Sequence, residues 1–209
     1  MKSNSAINLT QPFFQKQLFL LILVIFTSSI SNAQDNYHSL YAENMKINNT
    51  GMYVLGVWAV SNMVTGAYGW AKYKGENKYF HQMNMFWNVV NLSIASYALI
   101  SNHQTDYTLL GPDEILKKQI NTEKLFLINT GLDVLYVGTG FLLKHLSDKS
   151  KRKDLMRGYG NSVILQGSFL FVFDAIMYSI LKTNRLQYIE SLGLSISENG
   201  LGLHLSIGF

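Results

Sequence analysis

Leu125 to Leu143 reads LFLINTGLDVLYVGTGFLL, a run with no lysine or arginine and with one acid, Asp133, at its middle. An α-helix needs roughly 20 predominantly apolar residues to cross a bilayer, so this stretch has the length and composition of a span. Working outward, three more windows share that character: Gly51 to Trp70, Tyr79 to Ile100 and Tyr159 to Leu181, none with a lysine or arginine. The window from Tyr79 is the most polar, because His81, Gln82, Asn84, Asn88 and Asn91 interrupt it. It is expected to insert together with its predecessor as a hairpin. Trp70, Tyr79, Phe80 and Tyr159 stand at window ends, where amphipathic rings favour the headgroup zone. The whole chain of 209 residues is 48% hydrophobic and only 14% charged, a composition that points to one membrane domain.

The charges that remain are placed asymmetrically. Lys72, Lys74 and Lys78 follow the first window, and Lys144, Lys149, Lys151, Arg152, Lys153 and Arg157 follow the third. By the excess of Lys and Arg in cytoplasmic loops, both connections face the cytoplasm. The segment before Gly51, the loop from Ser101 to Lys124 and the C-terminal tail are neutral or acidic and are expected in the periplasm. The extreme N-terminus agrees with this, since Lys2 and Lys16 precede an apolar run, Leu18 to Ile30, which ends in Ser31-Asn32-Ala33. This is the form of a secretory signal cut after Ala33. The expected layout is a signal peptide over 1–33, a four-helix transmembrane domain over 34–185 and a periplasmic tail over 186–209 of an inner-membrane protein.

The chain also repeats. Glu43 to Val57 (ENMKINNTGMYVLGV) and Glu123 to Val137 (EKLFLINTGLDVLYV) agree at seven of fifteen positions. Two hairpins entering from the same side would be related by a pseudo-two-fold axis along the membrane normal, with the first and third helices opposite each other. Gly111-Pro112-Asp113-Glu114 has the chemistry of a helix start, with proline in the first turn and acids at the positive end of the dipole, so the third helix is expected to begin several turns before its apolar window. The tail differs in kind. Leu192, Leu194 and Ile196, then Leu201, Leu203, Leu205, Ile207 and Phe209, alternate with small or polar residues around Asn199-Gly200, the pattern of a β-hairpin. A terminal Phe on such a strand resembles the end of an outer-membrane barrel, but a barrel would alternate throughout. The predicted fold class is therefore an all-α, four-transmembrane-helix bundle of two hairpin repeats with a short C-terminal β-hairpin.

The candidate functional residues lie inside the spans. Asp133, Asp174 and Asn91 fall at one level, roughly 12 Å below the periplasmic boundary at 1.5 Å per residue. An ionised carboxylate facing lipid there costs on the order of 2.5 kcal/mol or more. The two acids are expected to face inward, and since the windows hold no base, Asn91, Asn129, Tyr136 and Tyr178 are their candidate partners. Asn84, Asn88 and Asn91, spaced i, i+4, i+7, share a helix face with His81, while Gln166 and Asn62 fall at similar depth. These groups read in two ways: as interhelical hydrogen bonding, helped by Gly56, Gly66, Gly138, Gly140 and Gly167, or as a ligand or ion site at the repeat interface.

Other chemistries find little support. The chain has no cysteine, so no disulfide or thiolate metal site exists, and it carries no HExxH, GxSxG, P-loop or GxGxxG pattern. His81 and His145 at two helix ends are too sparse a signal for haem or metal ligation. The net charge of +4 gathers in the two short loops, as a topology signal and not a nucleic-acid footprint. No cofactor, metal or catalytic residue is assigned; the expected partners are the lipid bilayer and either a second copy of the chain or another envelope protein.

The runs Tyr79-Phe-His-Gln-Met-Asn84 with Trp87-Asn88 and Asn91, Asn129-Thr-Gly-Leu-Asp133-Val with Tyr136, and Leu165-Gln-Gly-Ser-Phe-Leu170 with Phe173-Asp174 resemble an uncharacterised family of small exported four-helix membrane proteins of Gram-negative bacteria. The resemblance covers about residues 40 to 185. It implies the same topology and the same polar residues but brings no activity. The reading is a non-enzymatic structural or interaction protein of the envelope. The alternative is a small carrier or proton-coupled channel that works through the Asp/Asn layer.

Overall fold

A computed structural model describes residues 37–106 and 109–198, all within one compact unit, Gln34–Phe209. Four long helices account for nearly all of them: α1 Tyr37–Lys72, α2 Gly75–Gln104, α3 Pro112–Ser147 and α4 Lys153–Glu198. Each apolar window lies inside one helix. The expected signal peptide lies outside the described residues.

Local chemistry explains the joints. α1 and α2 form a tight antiparallel hairpin, in which Tyr73 N–H closes the end of α1 on Gly69 O at 2.9 Å. α2 then starts at Gly75 with φ +59, a left-handed conformation that glycine adopts without a Cβ penalty. α3 begins where the Gly-Pro-Asp-Glu chemistry predicts: Pro112 opens it, and the Gly111 N–H donates to Glu114 Oε2 at 3.3 Å. The helix therefore runs several turns ahead of the apolar window at Leu125. Between α3 and α4, Asp148 accepts from Lys153 at 3.1 Å and from Arg157 at 3.0 Å. These two cations hold the exposed Asp148 carboxyl below the usual carboxylate range.

α1 packs on α2, α3 on α4, and the two hairpins meet mainly through α2 and α4. α2 and α4 run parallel, since Gly158 lies on Glu76 and Phe80, and Gln166 meets Asn84 further along. α1 and α3 pack against each other far less, as the expected two-hairpin arrangement requires. On α3 the buried positions are Ile115, Gln119, Glu123, Phe126, Asp133, Gly140 and Ser147. These lie on one narrow seam, spaced for a single partner helix.

Two expectations are corrected. The first strand of the predicted tail hairpin, Leu192 to Ile196, belongs to α4, which continues to Glu198; the Asn199-Gly200 turn and second strand lie outside the described residues. Between Lys182 and Glu198 there is no proline, and adding residues to an existing helix needs no new nucleus, so propagation overrides a period-two pattern. Secondly, only α3 (Asp113–Ser147) and α4 (Lys153–Glu190) are long and apolar enough to cross a membrane judged by themselves. The Asn, Gly, Tyr and Trp residues of α1 and α2 dilute their windows.

Candidate functional site

The interior is built from the polar residues named by the sequence. In α2 the buried side chains are His81, Asn84, Asn88, Asn91 and Ala95, four of them polar, and their spacing puts them on one face. Asn62 of α1 and Gln166 of α4 close on that face. Asn84 Nδ2 donates to Asn62 Oδ1 at 2.9 Å, and Gln166 Nε2 donates to Asn84 Oδ1. Trp58 Nε1 donates to Gln166 Oε1 at 2.9 Å, with its ring stacked on Phe169 at 3.8 Å. The chain continues through Asn88 Nδ2, which donates to Asn84 O at 2.7 Å, and Asn91 Nδ2, which donates to Asn88 Oδ1 at 3.3 Å. Three helices are thus joined by amides whose donors and acceptors answer one another, the condition under which a buried polar network specifies a fold.

His81 shares the face but plays another part. Its ring lies directly on Gly69, where a Cβ would collide with it, and stacks beside Tyr73 at 5.2 Å. Its Nδ1 is buried without a hydrogen-bond partner. His145 is exposed on α3.

Asn91 carries the amide chain to a second polar centre. Asp133, 2% exposed, and Asp174, 5% exposed, approach across the α3–α4 seam closely enough for their carboxyls to interact directly. Both line a cavity of about 160 Å³ with Asn91, Asn129 and Tyr136. The shared level predicted for Asp133, Asp174 and Asn91 is therefore a real juxtaposition. Tyr136 stands at its margin, edge-on to Trp87 at 5.0 Å. Tyr178 is not in the cavity; its hydroxyl accepts from Lys182 at 3.2 Å. Among the described residues no N–H or O–H donor reaches Asp133 Oδ2.

A family of unknown function, DUF6992, matches residues 54–175, more than half of the chain. The chain belongs to DUF6992. No curated protein and no solved structure matches it. The DUF6992 region holds both polar centres, from Trp58 to Asp174, and is narrower than the 40–185 span of the resemblance read from the sequence. The far ends of the helices, beyond that region, are tied differently: Asn184 Nδ2 donates to Asn44 Oδ1 at 3.0 Å.

Sequence reasoning missed several participants. Glu123 and Arg185 form a two-pronged ion pair between α3 and α4, with bonds of 2.8 and 3.0 Å; Glu123 had been counted only as a loop charge, although its place on the α3 seam, four residues after Gln119, was readable. Trp58 was passed over as one more apolar residue. Of the five glycines expected at helix contacts, Gly66, Gly140 and Gly167 are close-packed, whereas a Cβ on Gly56 or Gly138 would meet nothing within 4 Å. Gly69, Gly158 and Gly160 make close approaches instead.

Proposed function

We propose that this DUF6992 protein is an exported, four-span inner-membrane protein of a Gram-negative envelope, acting as a non-enzymatic structural or interaction component. The observation that carries this reading is the inversion of α2: its buried face is His81, Asn84, Asn88 and Asn91, while Phe86, Val89, Val90, Ile94, Tyr97 and Ile100 are exposed. In water the apolar side chains of such a helix would turn inward. In a lipid solvent there is no hydrophobic drive between helices, and hydrogen bonds and close backbone contact hold them together instead. α1 repeats the pattern, with Tyr53, Val57, Val60, Val64 and Tyr68 outward and Asn62 inward. The amide links between α1, α2 and α4 support insertion of the first two helices as a hairpin that their own hydropathy does not secure. The matched local bonds of the two Asn-Thr-Gly runs, Thr50 Oγ1 to Lys46 O and Thr130 Oγ1 to Phe126 O, each 2.8 Å, support the duplication.

Topology is the test. The chain has no native cysteine, so Lys151→Cys and Asp106→Cys variants report cleanly. On spheroplasts a membrane-impermeant thiol reagent labels position 106 and spares 151. The opposite result inverts the orientation, and labelling at both sites removes the membrane reading.

A second reading, a small carrier or proton-coupled channel, is favoured by the cavity where the amide chain ends in two carboxyls. Paired acids inside a bundle are the usual mark of an ion or proton pathway. In reconstituted vesicles Asp133→Asn and Asp174→Asn would keep the fold and abolish proton-coupled flux, because an amide does not cycle a proton.

A further inference from the structure

α2 and α3 scarcely touch, and the acid-lined cavity lies in the gap between them, floored by Phe173 and Asp174 of α4. At its mouth Val90 is 58% exposed, Ile94 53% and Leu132 40%, so the cleft opens sideways, through the apolar flank of the bundle, and not toward either end. We propose that this cleft binds a small hydrophobic amine in its ammonium form, with a body about the size of one aromatic ring, which reaches the acids between α2 and α3.

Four observations converge. The first is charge: the four apolar windows contain no lysine or arginine, so Asp133 and Asp174 have no internal cation. The second is a vacant acceptor, for Asp133 Oδ2 is buried and receives no donor among the described residues; an ammonium N–H supplies a charge-assisted bond of the strong kind. The third is the lining. Apart from the two carboxyls and the amides of Asn91 and Asn129, the walls are largely apolar or aromatic, Trp87, Phe126 and Phe173 among them. Hard cations such as calcium require six to eight oxygen ligands, and among the described residues no three His, Cys, Asp or Glu side chains converge. Aromatic faces, in contrast, attract an organic cation and pack its apolar body. The fourth is size: about 160 Å³ compares with the cavity of roughly 150 Å³ that takes up a benzene molecule in the handiest reference case.

The lateral route rests on the membrane reading above, and use of the site for transport rests on the carrier reading; binding itself requires only the fold. Benzylammonium, with toluene as its uncharged counterpart, is the probe, titrated by calorimetry into the full-length protein in detergent micelles. Benzylammonium is expected to bind at least tenfold more tightly than toluene. Asp133→Asn and Asp174→Asn should each weaken benzylammonium tenfold or more and leave toluene unchanged, with circular dichroism confirming that helix content is retained. Equal affinity for the two probes, benzylammonium binding that survives the double Asn variant, or no binding by a natively helical protein overturns the proposal. Proton flux in vesicles without benzylammonium binding would also end it while leaving the carrier reading intact. Binding without flux supports it and ends the carrier reading.

Discussion

The two hairpins solve one problem by different means. Where α1 and α2 face each other and α4, the contact is made by amides: Asn62, Asn84 and Gln166 exchange hydrogen bonds, and Trp58 joins them. Where α3 meets α4, backbones come together instead. A Cβ on Gly140 would stand 2.7 Å from Gly160 O, and one on Gly160 would stand 2.7 Å from Gly140 O. Close approach and hydrogen bonding are the two ways to join helices when burial of apolar surface contributes nothing. They fail differently, since a hydrogen-bonded interface loses one bond at a time, whereas a close-packed one admits no added volume.

The largest effect is expected outside both devices, at the Glu123–Arg185 pair. The Glu123 side chain is 5% exposed and that of Arg185 17%, so Arg185→Ala strands a nearly buried carboxylate and should cost about 3 kcal/mol. Melting in detergent micelles measures it. A loss under about 1 kcal/mol would mean that the pair behaves as a surface bridge and that the α3–α4 hairpin owes its stability to the glycine contact alone.

The glycine contact ranks next. Gly160→Ala forces α3 from α4 and should cost about 2 kcal/mol, while Gly138→Ala, on the same helix as Gly140 but with nothing within 4 Å, should be neutral or slightly stabilising. If the two substitutions melt alike, close approach is not what joins this half. In the other half, Gln166→Leu removes two neighbours at once, leaving Trp58 N–H and Asn84 Oδ1 without their partner. The expected loss is about 1 kcal/mol, within the range for hydrogen bonds between membrane helices. Trp58 fluorescence should shift in the same variant as its indole N–H is released.

How much of this was legible follows from the same contrast. The amide face could be read because Asn84, Asn88 and Asn91 recur at helical spacing in an apolar window, where polar groups must find one another. The acid pair was legible by counting depth along two antiparallel helices. The glycine contacts were only half legible: Gly138 and Gly140 look equivalent in sequence, and which of them meets α4 depends on rotation about the helix axis. Trp58 was hidden because its ring is apolar and its single donor leaves no pattern. The tail misled because Leu192, Leu194 and Ile196 alternate for so short a distance that a helix already running through Lys182 decides their conformation.

The smallest effect distinguishes the two turns. The α1–α2 turn is set by the backbone of Gly75, but the α3–α4 turn leans on charge, through Asp148 with Lys153 and Arg157. Because these cations lower the Asp148 pKa in the folded protein, the carboxylate contributes stability that is fully present above its unfolded pKa of about 3.9 and is lost as pH falls through the lower folded value. Lys153 and Arg157 stay charged across that window, so Asp148 alone titrates in this cluster. The group is fully exposed, and the contribution should shrink as salt screens it. Comparing Asp148→Asn with the wild type in melting experiments should show the variant slightly less stable at neutral pH and low salt. The gap should close below about pH 4 and narrow in molar salt. A gap independent of both pH and salt would assign Asp148 to helix termination, where its side chain shapes the end of α3 without regard to its charge, and the contrast between a backbone-set turn and a charge-set turn would disappear.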